Sequence, residues 1–297
     1  MVGAHQRIDE KHVWKESAVP GDNGGRQMDS ALYLEHLSDT DISLLARVTG
    51  WSPETTRAFL RDDAEVLPNL LRSDRLHEAL FADGDGMLHA SPFLLFASLV
   101  ERGAADLRAS RFVAEWMGPG RRLPVFEVQT LHDFAGDARM RLFLAELLAS
   151  YTHVASGSYW TSTRRGPRRR RFSELDPLRL IEMIDAMPEP SRPPLYRRLG
   201  DLSLFLAGVF PDYAGERFLV PIARQRLQRA LAGTAADADT LGLLEELGRR
   251  SYRLAQANAV SALLRDVADG FYQARRTLNF LTDRYLFPYR DLWFPTG

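Results

Sequence analysis

The chain has 297 residues and a mass of 33.6 kDa, room for about two domains. Hydrophobic residues at 45% and charged residues at 26% exclude wholesale disorder, a collagen-like repeat and a membrane bundle. With no cysteine there is no disulfide, thiolate metal site or cysteine nucleophile, and a formal charge of −1 gives no global field toward a polyanion.

Of the 38 cations, Lys11 and Lys15 are lysine and the rest arginine, so arginine clusters are informative where single arginines are not. Residues 1–27 hold few aliphatics and the run Gly21-Asp22-Asn23-Gly24-Gly25, and read as a disordered leader. Met28 as the natural start is the other reading. The leader lacks the apolar core of a secretory signal, and no stretch reaches the ~18 apolar residues of a membrane span. The expectation is a cytoplasmic protein with no membrane partner.

From there the pattern is helical. Ser38 with Asp41 three residues on opens a helix through Ile42, Leu44, Leu45 and Val48, and Gly50 stops it. Ser52-Pro53 starts the next, which is expected to carry Phe59 and Leu60 inward. Asp74 begins a short helix through Leu76, Leu80 and Phe81, closed by the turn Asp83-Gly84-Asp85-Gly86. Ser91-Pro92 leads into Phe93–Val100, apolar on every side and therefore expected at the centre of the fold.

An amphipathic helix is expected around Ala105–Met117, then the breaker Gly118-Pro119-Gly120 and a short element over Val125, Phe126, Val128 and Leu131. Asp137 caps a helix with Met140, Phe143, Leu144, Leu147, Leu148 and Tyr151 on one face. Ser158–Thr163 and Arg169–Phe172, joined across Arg165-Gly166-Pro167-Arg168, read as a β-hairpin. Asp176-Pro177 restarts helix, and Pro188, Pro190, Pro193 and Pro194 form a stiff joint. An apolar helix over Leu199–Phe210 should stop at Pro211, and two amphipathic helices, Thr240–Ala257 and Val260–Tyr285, should close the chain. The aromatic tail Tyr285, Phe287, Tyr289, Trp293 and Phe294 is expected either to complete the core or to form an exposed patch for a partner. The fold class is all-α: two helical lobes, 28–175 and 176–297, with one small hairpin.

Charge by segment sharpens the picture. Residues 29–90 hold 12 acids and 5 arginines, net −7; residues 157–200 hold 5 acids and 10 arginines, net +5. Within the basic part, Arg164, Arg165, Arg168, Arg169, Arg170 and Arg171 fall in eight residues without an acid. Guanidiniums grip phosphates bidentately, and Tyr159 and Trp160 beside them could stack on unpaired bases. Docking on the acidic segment, a protein partner and plain solvation are the competing readings of this tip.

The run Leu45–Leu60, with small Ala46 four residues before Gly50 and Ser52 capping the second helix, resembles the DNA-binding helix-turn-helix family. That resemblance implies base or phosphate contacts from Glu54, Thr55, Arg57 and Arg61 at the start of the second helix. It covers about 16 residues, and Asp62-Asp63-Ala64-Glu65 follows at once, against the charge that DNA demands; a structural corner is the plainer reading. The arginine tip has the layout of a wing in winged-helix proteins, making the helix after Asp137 a recognition helix. Its outer face (Asp137, Arg141, Ser150, His153) is scarcely basic, so core scaffold is the simpler role.

No metal, cofactor or catalytic residue is assigned. His36, His77, His89, His132 and His153 are widely spaced, with no His-Glu-x-x-His or Glu-x-x-His. Neither a Gly-x-Ser-x-Gly elbow nor a phosphate-binding glycine loop is present. The sequence reads as a non-catalytic DNA-binding protein, a transcriptional regulator in its fullest form, able to form a homodimer through the C-terminal helices. A helical protein–protein interaction module and a helical small-molecule sensor or enzyme are the alternatives.

Overall fold

The computed structural model describes residues 33–81, 85–118, 120–154, 156–163, 166–216, 225–228, 239–257 and 262–287, with backbone alone at 85, 159–163, 166–172, 215–216 and 257. The leader, Arg164 and Arg165, and Tyr289, Trp293 and Phe294 lie outside the described residues.

The chain is predominantly helical, and its helix starts are set by local chemistry. In α1 (Asp39–Thr49) the Ser38 hydroxyl accepts from the Asp41 N–H while the Asp41 carboxylate accepts from the Ser38 N–H, a complete capping box. Gly50 ends α1 at φ 78°, a left-handed conformation that glycine adopts without steric cost. Ser52 caps α2 (Pro53–Asp62) through the Thr55 N–H at 3.1 Å. α3 (Val66–Arg72), α4 (Asp74–Phe81) and α5 (Asp85–His89) follow, so the expected Asp83–Gly86 turn gives way at its second half to helix. Asp41 also accepts the Ser91 N–H at 2.7 Å, so one buried carboxylate serves α1 and the approach to α6 (Pro92–Ala109).

α6 is the central helix, buried almost without break from Phe93 to Glu101. It runs on to Ala109, which corrects the expected separate helix at Ala105–Met117. Residues Val113–Gly118 instead form β1, paired antiparallel with β2 (Arg121–Val125) around a bulge between Trp116 and Gly118. Helix-forming alanine and glutamate within this strand mimic the continuation of a helix, and the bulge breaks the regular alternation that would have marked a strand. α7 (Gln129–Gly136) and α8 (Ala138–Ser150) follow; Asp137 caps α8 through the Arg139 N–H at 2.8 Å.

The expected hairpin is β3 (Ser156–Thr163) with β4 (Gly166–Ser173). Asp176 then caps α9 (Pro177–Ala186), and a 3-10 turn at Glu189–Ser191 crosses the proline joint into α10 (Pro193–Val209). Pro211 does not simply stop the chain's helical course: it sits at the first position of α11 (Pro211–Glu216), where its missing N–H costs nothing. α12 (Thr240–Ala257) matches its expected bounds. The expected helix Val260–Tyr285 is broken at Gly270 into α13 (Leu263–Asp269) and α14 (Phe271–Leu281), with a π-turn at Thr282–Leu286.

Side chains from Tyr33 to Leu286 form one continuous core cluster, fed from both sides of the proline joint. α6 packs on α8, α10 on α12 and α14, and α14 also on α6 and β1. The boundary at 175/176 is therefore not a gap in the core. One aromatic expectation is corrected at the surface: Phe59 is 45% exposed, while Leu60, as expected, and Thr56 make the inward contacts of α2. No described helix is long and apolar enough to cross a membrane.

Candidate nucleic-acid interface

The antiparallel register of β3 and β4 fixes where the basic residues fall. Ser158 pairs with Arg171, Tyr159 with Arg170, Trp160 with Arg169 and Thr161 with Arg168. Successive strand positions face opposite sides, so Arg168 and Arg170 share one face with Tyr159, and Arg169 and Arg171 share the other with Trp160. Each face places an aromatic position directly across from an arginine. Neither face carries the repeating apolar stripe with which a sheet packs on helices.

The base of this ribbon is tied to the core. Glu174, one residue beyond β4, accepts from Arg198 Nη2 at 2.8 Å, and Arg198 Nη1 donates to the Ser150 hydroxyl at 2.9 Å. The guanidinium lies 3.9 Å from the centroid of the Tyr151 ring, which stacks on Phe205 at 4.2 Å. Three α10 charges extend the cluster: Arg198 itself, Arg197 and Asp201. Asp201 accepts from the Tyr252 hydroxyl at 2.9 Å, and Arg197 lies between it and Glu146, which also meets His36 at 2.9 Å. Burial pushes the Asp201 carboxyl above its ordinary value, against the pull of Arg197 and Arg198. Burial likewise holds the Tyr151 and Tyr252 hydroxyls well above the ordinary tyrosine range. This network escapes sequence reading because Tyr252 and Asp201 are 51 positions apart. The one local hint was charge inside the otherwise apolar Leu199–Phe210 helix.

α8 is scaffold. Met140, Phe143, Leu144, Leu147 and Leu148 are buried, and Arg141, expected on the outer face, turns inward, donating to buried Glu101 at 2.6 Å and to the carbonyls of Ala135 and Gly136. An arginine turned into the body against a buried carboxylate is not presented to a phosphate, which favours the scaffold role for α8.

The α1–α2 corner places its expected contact residues unevenly. Thr55 is exposed, its hydroxyl 3.0 Å from that of Ser52. Arg57 pairs with Asp39 at 2.5 Å across the corner, which spends its charge within the chain. Arg61 is exposed, but so are Glu54, Asp62, Asp63 and Glu65. The Glu54 carboxyl is held below its ordinary value by hydrogen bonds from its own backbone and from Ser52, so it is ionised at neutral pH. Phe59, expected to pack the second helix back, instead meets Trp51 on the surface, the rings tilted with centroids 4.8 Å apart. Beside them, Thr40, Ser43, Arg47, Trp51 and His89 line an open depression of about 580 Å³.

Among the described residues no group of histidines and acids is arranged to hold a metal ion. No protein-family model, curated protein or solved structure matches the chain.

Proposed function

We propose that this is a non-catalytic nucleic-acid-binding protein whose contact element is the β3–β4 ribbon. The observation that carries the reading is the register: four consecutive arginine positions on one strand, divided between two faces, each face with an aromatic position opposite. Such a ribbon offers phosphate grips and stacking surfaces together, and its foundation at Glu174 and Arg198 holds it against the helical body. The α1–α2 corner contributes little, because Arg57 is paired with Asp39 and four acids surround Arg61. Transcriptional regulation is the fullest form of this reading.

Fluorescence anisotropy with a labelled duplex and a single strand of equal length tests it. Affinity should fall steeply with salt, and alanine at Arg168, Arg169, Arg170 and Arg171 together should weaken binding at least ~10-fold. The log–log salt slope should shrink by roughly one unit for each arginine–phosphate pairing that the alanines remove. Lysine at the four positions should keep most of the salt slope, and Arg57→Ala should change little. Wild-type protein that shows no salt-dependent binding, or an alanine variant with full affinity, overturns the reading.

A further inference from the structure

The β1–β2 hairpin divides its apolar side chains between core and solvent. Its polar groups hold it to the body: Glu115 accepts from the Tyr272 hydroxyl at 2.5 Å, Trp116 Nε1 donates to Asp212 at 2.6 Å, and Arg122 Nε donates to Asp283 at 3.1 Å. Val113 is buried and Trp116 packs on the core, but four apolar side chains on and beside the strands face out: Phe126 is 71%, Met117 54%, and Phe112 and Leu123 each 50% exposed. The Phe112 and Phe126 rings meet at 5.8 Å, so these residues form a patch and not scattered points. Exposed aromatics that meet each other in this way are the kind of surface that a partner covers. Arg108, Arg111 and Arg121 are exposed around it and make no ion pair with a described residue.

The α1–α2 corner is the counterpart. There the Trp51 (38% exposed) and Phe59 (45%) rings meet in the open, and Glu54, Asp62, Asp63 and Glu65 outnumber Arg47 and Arg61. One surface is apolar with a basic rim, the other apolar with an acidic rim, and both are exposed in the same molecule. We propose that the chain associates head to tail with a second copy of itself, the β1–β2 hairpin of one copy seating on the Trp51–Phe59 corner of the next. Buried aromatics supply the energy of such a contact, and the opposed rims set its orientation. Backbone pairing is not the means: Pro124 removes a donor from β2 and the bulge at Trp116 and Gly118 distorts β1, two devices that block strand addition at an edge. The two patches differ, so the contact is heterologous and a dimer leaves one patch open at each end.

Sedimentation velocity on nuclease-treated protein, from low concentration to on the order of 100 µM, reads the result directly. Wild type should show an average mass that rises with concentration and falls in ~0.5 M salt, where exposed charges are screened. Two surface variants, Phe126→Ser with Arg121→Glu and Phe59→Ser with Asp62→Arg, should each stay monomeric while keeping the wild-type circular dichroism spectrum and melting temperature. Each variant retains the patch that is disrupted in the other, so a one-to-one mixture should form a dimer that grows no further. A monomeric wild type, either variant associating as wild type does, or a mixture that stays monomeric while wild type associates overturns the proposal.

Discussion

Gly248 offers the sharpest test of the packing. It lies buried in α12 against α14 and α10, and a Cβ built there would stand 2.2 Å from Phe271 Cε2, 2.5 Å from Cζ and 3.1 Å from the Ser203 Cβ. Carbon atoms in contact prefer ~3.5–4.0 Å, so alanine at 248 demands a displacement of more than an ångström. The Phe271 ring is fully buried and backed by Tyr252 at 6.2 Å, which leaves it no solvent to swing into. Alanine gains about 1 kcal/mol over glycine in a helix interior, but overpacking costs about 1–3 kcal/mol. Expelling so large a ring would cost more, toward the ~3–5 kcal/mol of a Phe→Ala change. Gly248→Ala should therefore destabilise by about 1–3 kcal/mol net. Urea unfolding followed by far-ultraviolet circular dichroism measures this, with Gly136→Ala as control, since nothing lies within 4 Å of a Cβ at that α7 position. The control should be neutral or slightly stabilising. Shortening the ring in the same background, as Phe271→Leu, should cost less than in wild type, giving a coupling of at least about 0.5 kcal/mol. A Gly248→Ala protein as stable as wild type, or additive double-mutant energies, would refute this account of the α10–α12–α14 contact.

Two further outcomes follow from the buried charges. Because burial raises the Asp201 carboxyl in the folded state above its ordinary 3.8, its contribution is fully present below that value and is lost as pH rises through the folded pKa. Asp201→Asn still accepts from Tyr252 but cannot ionise, so its melting temperature relative to wild type should climb as pH rises above about 4; a flat or falling difference contradicts the burial argument. Arg198→Met should cost about 3 kcal/mol, the lower end for a broken buried pair, because Glu174 keeps 16% side-chain exposure and can recruit water. Chemical denaturation checks it, and Arg198→Lys should recover only part of the stability, since an ammonium cannot reach Ser150 and Glu174 with the same planar fork.

What the sequence disclosed well was whatever is decided within four or five residues. Ser38 with Asp41, Ser52-Pro53, Ser91-Pro92, Asp137 and Asp176-Pro177 each announce a helix start, and each caps one. The β3–β4 pairing was legible for the same reason, since aromatic and threonine strand formers flank a turn. The β1–β2 hairpin was not, because alanine and glutamate within Val113–Gly118 extend the helical signal of α6 past Ala109. The outward placement of Phe59 was equally hidden: α2 meets the body through Thr56 and Leu60, and only the neighbouring helices determine how wide that contact is. The Arg198–Asp201–Tyr252 cluster depends on chain segments dozens of residues apart, beyond the reach of any local rule. At the candidate interface, the arginine run was visible from the start, whereas the pairing of Arg57 with Asp39 needed the corner to be folded.

The double duty of Asp41 has a mechanical corollary. One of its oxygens holds the Ser38 amide at the head of α1, and the other holds the Ser91 amide where the chain turns into α6. Both bonds are short, and the carboxylate is sealed from solvent. The first of these helices is consequently pinned at its root, and a push or pull on the outer corner is passed through one carboxylate to the helix at the heart of the molecule.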